Sequence, residues 1–356
     1  MLPGSRYRVE LDGNLAGPLR AAEYGNFVWE FQTVIPELVA TLPEANSEAS
    51  SYVIEAIFDS QIDKAMLETT ESIQVLRGGI QQAISDAKYE ADAKMLRFEL
   101  EGGLKPGANY QVSLSGVFGG PLRVLSEGDY EWEFSTPIPQ LSSSMPIDGA
   151  EDVDASLSTI TAVFSSPVDL EALLKPGSLQ LLAGGASVAV VGLEFNQKTR
   201  TLRFEPADGL EPGTNYVVRI AAEIGGVQRV GDYMWAFKTP VPELVSTTPN
   251  NGDPEVTTTQ AQIEATFDQE IAYGALLETD NIQLLASGAP VMLSGLIYDS
   301  GNQTLRFEPV GGLRAGTSYE VRISSAVGGP RRTGDYTWKF STPVPVLRST
   351  EPRDGE

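Results

Sequence analysis

The chain has 356 residues, a length that suits two or three domains of ordinary size better than one large core. Its 25 Lys and Arg face 48 Asp and Glu, for a formal charge of −23, which excludes charge-driven binding to nucleic acid or to an anionic membrane surface. The absence of His and Cys excludes disulfides, thiolate zinc sites and every nucleophile–histidine pair, and no apolar run reaches the roughly 20 residues that cross a bilayer.

In chain order, the first elements are two alternating segments, 6–12 and 26–33, predicted as strands with inward apolar faces and no partner sheet. Residues 1–36 are therefore expected to be disordered, swapped or aggregation-prone on their own. The second segment carries Trp29 in GNFVWEFQT, and that text returns as GDYEWEFST, GDYMWAFKT and GDYTWKFST. The four tryptophans, Trp29, Trp132, Trp235 and Trp338, stand 103 residues apart, each followed seven residues later by a proline. The chain is one unit repeated. Complete units are expected at 37–139, 140–242 and 243–345, with 1–36 matching only the last two strands of a unit and 346–356 only a first strand. Met1 stands where a unit has leucine, so a signal peptide or anchor is expected outside this segment.

Within the second unit, alternation of apolar and polar residues predicts strands near 140–144, 158–164, 178–182, 187–195, 200–205, 215–222 and 232–239. In the last of these Tyr233, Trp235 and Phe237 share one face. The same spacing places Trp132, Trp235 and Trp338 in the cores rather than on a sugar-stacking surface. The segment 168–178 (VDLEALLKPGS) is the one helical turn predicted per unit. Seven short strands with frequent turn signals predict an all-β class: tandem Greek-key β-sandwiches of about 100 residues each.

Three clusters are candidate sites. The turns LKPGANY, LEPGTNY and LRAGTSY end in Tyr110, Tyr216 and Tyr319, whose hydroxyls are expected to bond the backbone of their own corner. The loop before each tryptophan strand carries Arg123, Arg229 or Arg332, expected to bond acidic groups across a domain junction, with a ligand-binding loop as the alternative. Asp148, Glu151, Asp152 and Asp154 crowd one turn, and Asn250, Asn251, Asp253 and Glu255 hold the equivalent place, so calcium is conceivable there. No dedicated loop spacing accompanies them, and surface turn chemistry explains the cluster; no metal and no cofactor is expected. Catalysis is not expected either, because the remaining carboxylates fall at outward strand positions or in loops.

Taken together, the motifs PIDG (146–149), Ile160 to Phe164, LRFEP (202–206), LEPGTNY (210–216) and Tyr233 to Thr239 resemble the bacterial Ig-like domains first described in the S-layer protein SbsA. The first unit departs from that pattern with Asn46 where Gly is usual and Leu100 where Pro is usual. The resemblance implies stalks, S-layer parts or accessory modules at a bacterial cell surface or outside the cell. The function expected is a spacer that holds a functional terminus away from the envelope. The alternative is a binding module that contacts polysaccharide or a protein ligand through strand faces or loops. Partners expected in either case are neighbouring Ig-like domains of the same chain, with no nucleic acid and no membrane insertion in this segment.

Overall fold

The structure is a computed structural model and describes residues 1–49, 53–68, 71–260, 262–278, 280–349 and 351. Two compact bodies make up the chain: Met1–Gln140 with Ser165–Lys175 and Ala222–Gly231, and Leu141–Phe164 with Pro176–Ala221 and Asp232–Glu356. The first body holds an N-terminal hairpin, one complete sandwich and two loop segments of the next repeat. The second holds the sheets of two further sandwiches.

The hairpin pairs β1 (Arg6–Leu11) with β2 (Phe27–Gln32) in antiparallel register, Val9 opposite Trp29. Between them lies α1 (Pro18–Tyr24), with Pro at the first turn where its missing N–H costs nothing. The hairpin face is open: Trp29 is 47 % exposed, against 5 % or less for the other three tryptophans.

The first sandwich comprises β3 (Leu38–Leu42), β4 (Ile54–Phe58), β5 (Ile73–Arg77), β6 (Ile80–Gln81), β7 (Ile84–Glu90), β8 (Met95–Leu100), β9 (Asn109–Leu114) and β10 (Tyr130–Ser135). One sheet runs β3-β4-β8-β7 and the other β10-β9-β5-β6. The next repeat supplies β11 (Leu141–Met145), β12 (Ile160–Phe164), β13 (Leu179–Ala183), β14 (Ala186–Val188), β15 (Val190–Asn196), β16 (Thr201–Pro206), β17 (Asn215–Ile220) and β18 (Tyr233–Lys238). The last adds β19 (Leu244–Thr248), β20 (Ile263–Phe267), β21 (Ile282–Ala286), β22 (Ala289–Val291), β23 (Leu293–Asp299), β24 (Thr304–Pro309), β25 (Ser318–Ile323) and β26 (Tyr336–Ser341). Their sheets repeat the same order: β11-β12-β16-β15 with β14-β13-β17-β18, and β19-β20-β24-β23 with β22-β21-β25-β26. In Ig lettering each domain is an A-B-E-D sheet against a C′-C-F-G sheet. The strand expected at 187–195 is two, β14 and β15, so each domain has eight strands, one of them a short C′.

The alternation read from sequence is the burial pattern. Along β26 Tyr336, Trp338 and Phe340 are buried, and along β25 Tyr319, Val321 and Ile323. These side chains meet Phe267, Leu305 and Phe307 from the facing sheet in one core cluster. Tyr319 stacks on Phe340 at 5.2 Å, and Phe267 meets Tyr336 edge-on at 5.1 Å. The first domain repeats both contacts with Tyr110 on Phe134 and Phe58 on Tyr130. Burying each such ring contributes about 1.5–3 kcal/mol.

A helical turn forms in the expected segment as α3 (Leu170–Leu173), capped by the Asp169 carboxylate, with a counterpart in α4 (Tyr273–Leu276). It is not the sole helical piece. The F–G loop of the first domain holds α2 (Pro121–Ser126) behind a 3-10 turn (Gly116–Gly119), and the later F–G loops keep the 3-10 turn at Ala222–Gly225 and Ser325–Gly328. Residues 343–349 lie in no strand; of the expected first strand at 346–356, residues 350 and 352–356 lie outside the described residues.

Candidate functional site: the corners and loops at the domain ends

The E–F corner is fixed by a single hydroxyl. The Lys105 N–H donates to Tyr110 Oη at 2.7 Å, Glu211 N–H to Tyr216 Oη at 2.7 Å, and Arg314 N–H to Tyr319 Oη at 2.6 Å. The hairpin carries the same bond, Leu2 N–H to Tyr7 Oη at 2.6 Å. A threonine closes the corner from the other side: Thr136, Thr239 and Thr342 donate to the carbonyls of Lys105, Glu211 and Arg314. Tyrosine and threonine thereby hold the intervening Pro-Gly or Ala-Gly turn in one shape.

What that shape accommodates was not legible as a contact in the sequence. A Cβ added to Gly4 would stand 2.0 Å from Gly119 O, one on Gly107 2.4 Å from Gly225 O, and one on Gly213 2.2 Å from Gly328 O. In return, a Cβ on Gly120, Gly226 or Gly329 would stand 2.0, 1.7 or 1.9 Å from the carbonyl oxygen of Pro3, Pro106 or Pro212. The Pro-Gly corner of one repeat lies backbone to backbone on the Gly-Gly F–G turn of the next, at a separation no side chain permits. One hydrogen bond per contact keeps the register: Leu122 N–H to Gly4 O at 2.8 Å, Gln228 N–H to Gly107 O at 3.2 Å, and Arg331 N–H to Gly213 O at 2.9 Å. Arg331 also donates to Thr239 O at 2.9 Å, and Gln228 Nε2 to Asn109 Oδ1 at 3.0 Å. The sequence signal was present as recurring Pro-Gly and Gly-Gly pairs, but not which pair meets which.

The three arginines bond closer to home than the residue before each of them. Arg123 lies 3.8 Å over the Tyr130 ring, donates to Gly128 O, and pairs with Glu127 and with Glu37 Oε2 at 3.2 Å. Arg332 lies 4.0 Å over Tyr336, donates to Gly334 O and pairs with Glu243 Oε2 at 2.8 Å. Arg229 donates to Gly231 O and to Gln140 Oε1 at 3.2 Å. Glu37, Gln140 and Glu243 each follow the linker proline directly. The underlying tyrosines complete the clamp, Tyr130 donating to Pro36 O and Tyr336 to Pro242 O, both at 2.7 Å. Burial pushes both phenols up to about 12 from 10.0, against a smaller lowering from the stacked guanidinium.

One ion pair distinguishes a single contact from its sisters. Lys105 Nζ lies 3.0 Å from Asp169 Oδ1 and 2.5 Å from Glu171 Oε2, with Lys105 and Asp169 both mostly buried. Burial pulls the ammonium down, but its bonds to the two carboxylates outweigh this and leave the Lys105 pKa raised.

The acidic turns do not converge on a point. Asp148 Oδ1 accepts from Ala236 N–H at 2.9 Å, Glu151 pairs with Lys238 at 2.6 Å, and Asp154 Oδ1 accepts from Ser156 N–H; Asp152 is exposed. The hydrogen bond and charge of Lys238 lower the Glu151 carboxyl, and that of Ser156 lowers Asp154. Asn251 repeats the Asp148 bond, accepting from Lys339 N–H. These side chains latch the A–B loop onto strand G, where Ala150 bridges Phe237 in parallel and covers the sheet edge. In the first domain Asn46 takes a left-handed φ of +59° where Gly149 and Gly252 hold +79° and +86°, which explains how the turn survives without glycine. Among the described residues no group of three or more acidic side chains is arranged to hold a metal.

Trp132, Trp235 and Trp338 are 5, 2 and 2 % exposed, and the indole N–H of each is buried without a partner. They are core residues.

Sandwich order, tyrosine corners and end-to-end turn contacts define a tandem Ig-like protein. The chain belongs to the bacterial Ig-like domain family, whose model matches at residues 32–136, 135–239 and 240–342. No curated protein sequence matches it. Among solved structures it is similar to the N-terminal part of the bacterial S-layer protein SbsC (13 % identity, 57 % of this chain and 44 % of that one, TM-score 0.23). It is also similar to CopC from Methylosinus trichosporium OB3b (21 %, 29 % and 93 %, 0.21) and to extracellular domains 3–5 of Drosophila OTK (12 %, 87 % and 98 %, 0.19). The chain thus spans less than half of the S-layer structure. Three tandem Ig-like domains of this family make up most of the chain, and Ig-like domains need no cofactor. Among the described residues no helix is long and apolar enough to cross a membrane.

Proposed function

We propose that the chain is a run of spacer repeats in a secreted or cell-surface bacterial protein, adhesin-like or S-layer-like, that holds a functional terminus away from the envelope. Its units are 37–139, 140–242 and 243–345, preceded at 1–36 by a segment that matches the last two strands of a unit and followed at 346–356 by one whose sequence matches the start of a unit. The observation that carries this reading is the use of the F–G turns. Ig-type domains that bind ligands present this loop to solvent; here Gly120, Gly226 and Gly329 are pressed onto the preceding corner instead. We assign no residue of the chain to catalysis.

A second reading, a binding module, is favoured by one feature. A groove of about 530 Å³ runs over the C-F-G face of the first domain, lined by Gln74, Gln111, Ser113, Glu131 and Glu133, amide and carboxylate groups suited to sugar hydroxyls. Immobilised full chain on a glycan array, followed by capture from secreted or host protein mixtures, separates the two. The spacer reading expects no saturable ligand. A glycan bound by the full chain and lost in Gln111→Ala would replace it with the second.

A further inference from the structure

A fourth corner, Leu313–Gly316, is built like those at Pro3-Gly4, Pro106-Gly107 and Pro212-Gly213. Tyr319 and Thr342 bond the main chain of Arg314, and Gly316 has a φ of +62°, beside +53° for Gly107 and +55° for Gly213. Each of the first three bears a Gly-Gly turn. On the fourth, the atoms nearest to a Cβ on Gly316 belong to its own linker, Val344 and Pro345, at 3.6–4.0 Å. That linker is bare. Val344 is 73 % exposed where Ile138 and Val241 are half-buried, and Pro345 is exposed where Pro36, Pro139 and Pro242 are buried.

The residue after the corner leucine varies in charge. Lys105 meets Asp169 and Glu171 at the short helix of the following domain. Glu211 shares a groove of about 920 Å³ with Ala272 and Gly274, the uncharged counterparts of those two acids, and with Glu270, Glu278 and Arg332. The cation Lys105 thus coincides with carboxylates at the two helix-opening positions, and the acid Glu211 with uncharged residues at those same two positions. Arg314 restores the cation.

We propose that the Leu313–Gly316 corner, with Val344 and Pro345, is a docking surface for the F–G turn of a further domain of this same type, and that Arg314 selects one whose B–C helix opens with carboxylates, as the second domain's does with Asp169 and Glu171. The proposal rests on reading the repeats as serially docked spacers. It extends that reading by assigning the corner residue to partner choice. Charge pairs of this kind fix neighbours more than they add affinity.

The test uses the full chain with a second copy of residues 140–242 in place of 346–356. Because the protein has no Cys, two cysteines, at Glu308 and at Lys198 of the added copy, take spin labels without background. One narrow distance distribution is expected with Arg314 and with Arg314→Lys. Arg314→Glu sets like charges together and broadens it about two-fold. Adding a copy of 243–345, which carries Ala272 and Gly274, is expected to give the broader distribution even with Arg314. Equal widths for Arg314 and Arg314→Glu, or broad distributions throughout, overturn the proposal. Ligand capture by the unaltered chain would overturn the spacer reading instead and leave these widths as they are.

Discussion

At the scale of single residues, a few hydroxyls and glycines carry the arrangement. Tyr216 contributes a buried ring stacked on Phe237 at 5.2 Å and an acceptor for the Glu211 N–H. Tyr216→Phe keeps the stack and strips the acceptor, so a loss of about 1–2 kcal/mol in urea unfolding is expected, with the sheets unchanged by circular dichroism. The two clamping phenols give a pH signature. Tyr130 and Tyr336 ionise near 10.0 when unfolded and near 12 when folded. Between these values the unfolded chain has released protons that the folded chain retains, so their stabilising contribution is complete below pH 10 and lost as pH rises towards 12. Alkaline titration followed by tyrosinate absorbance should therefore show these two rings ionising last, together with unfolding. Ionisation near pH 10 in the folded protein would contradict the clamp.

At the scale of elements, the hairpin formed by β1 and β2 is the outlier. Residues 1–36 are expected from sequence to be disordered or swapped, yet the two strands pair with each other; Phe27, Val28 and Trp29 are 38, 46 and 47 % exposed, whereas the same strand in the complete domains is buried at every second residue. Amides of Tyr7–Leu11 are expected to exchange far faster than those of Tyr110–Leu114 in β9, because a two-stranded ribbon without a facing sheet opens readily. Equal protection in a monomer would show that something covers it. Most strands were legible because Tyr, Trp and Phe at every second position can only be one face of a half-buried strand. The split between β14 and β15 was not, since the single residue Ala189 separates them and carries no turn signal. The helix Pro121–Ser126 was missed although Gly120-Pro121 marks its start. The candidate sites divide the same way. The tyrosine corner is a bond over five residues, and its motif spells it out. The arginines' partners depended on how the loop folds back, and Arg123 and Arg332 reach the residue after the linker proline of their own domain. The Lys105 pair joins residues 64 and 66 positions apart, beyond any local pattern.

At the scale of the whole molecule, the corner of one repeat bears the F–G turn of the next, as Gly213 bears Gly329 within the second body. A Cβ on Gly329 would lie 1.9 Å from Pro212 O, and at a φ of +82° a side chain is strained there in any case. Gly329→Ala should release that contact and cost the third domain itself only about 1 kcal/mol, because its core lies elsewhere. The most direct measurement places spin labels on Lys198→Cys and Met292→Cys in the otherwise unaltered chain and reads the distance between them. With the Gly213 corner holding the Gly329 turn, one narrow distribution is expected, broadening in Gly329→Ala while the melting of the domains is nearly unchanged. A broad distribution in the unaltered chain, or one that Gly329→Ala leaves untouched, would contradict that contact.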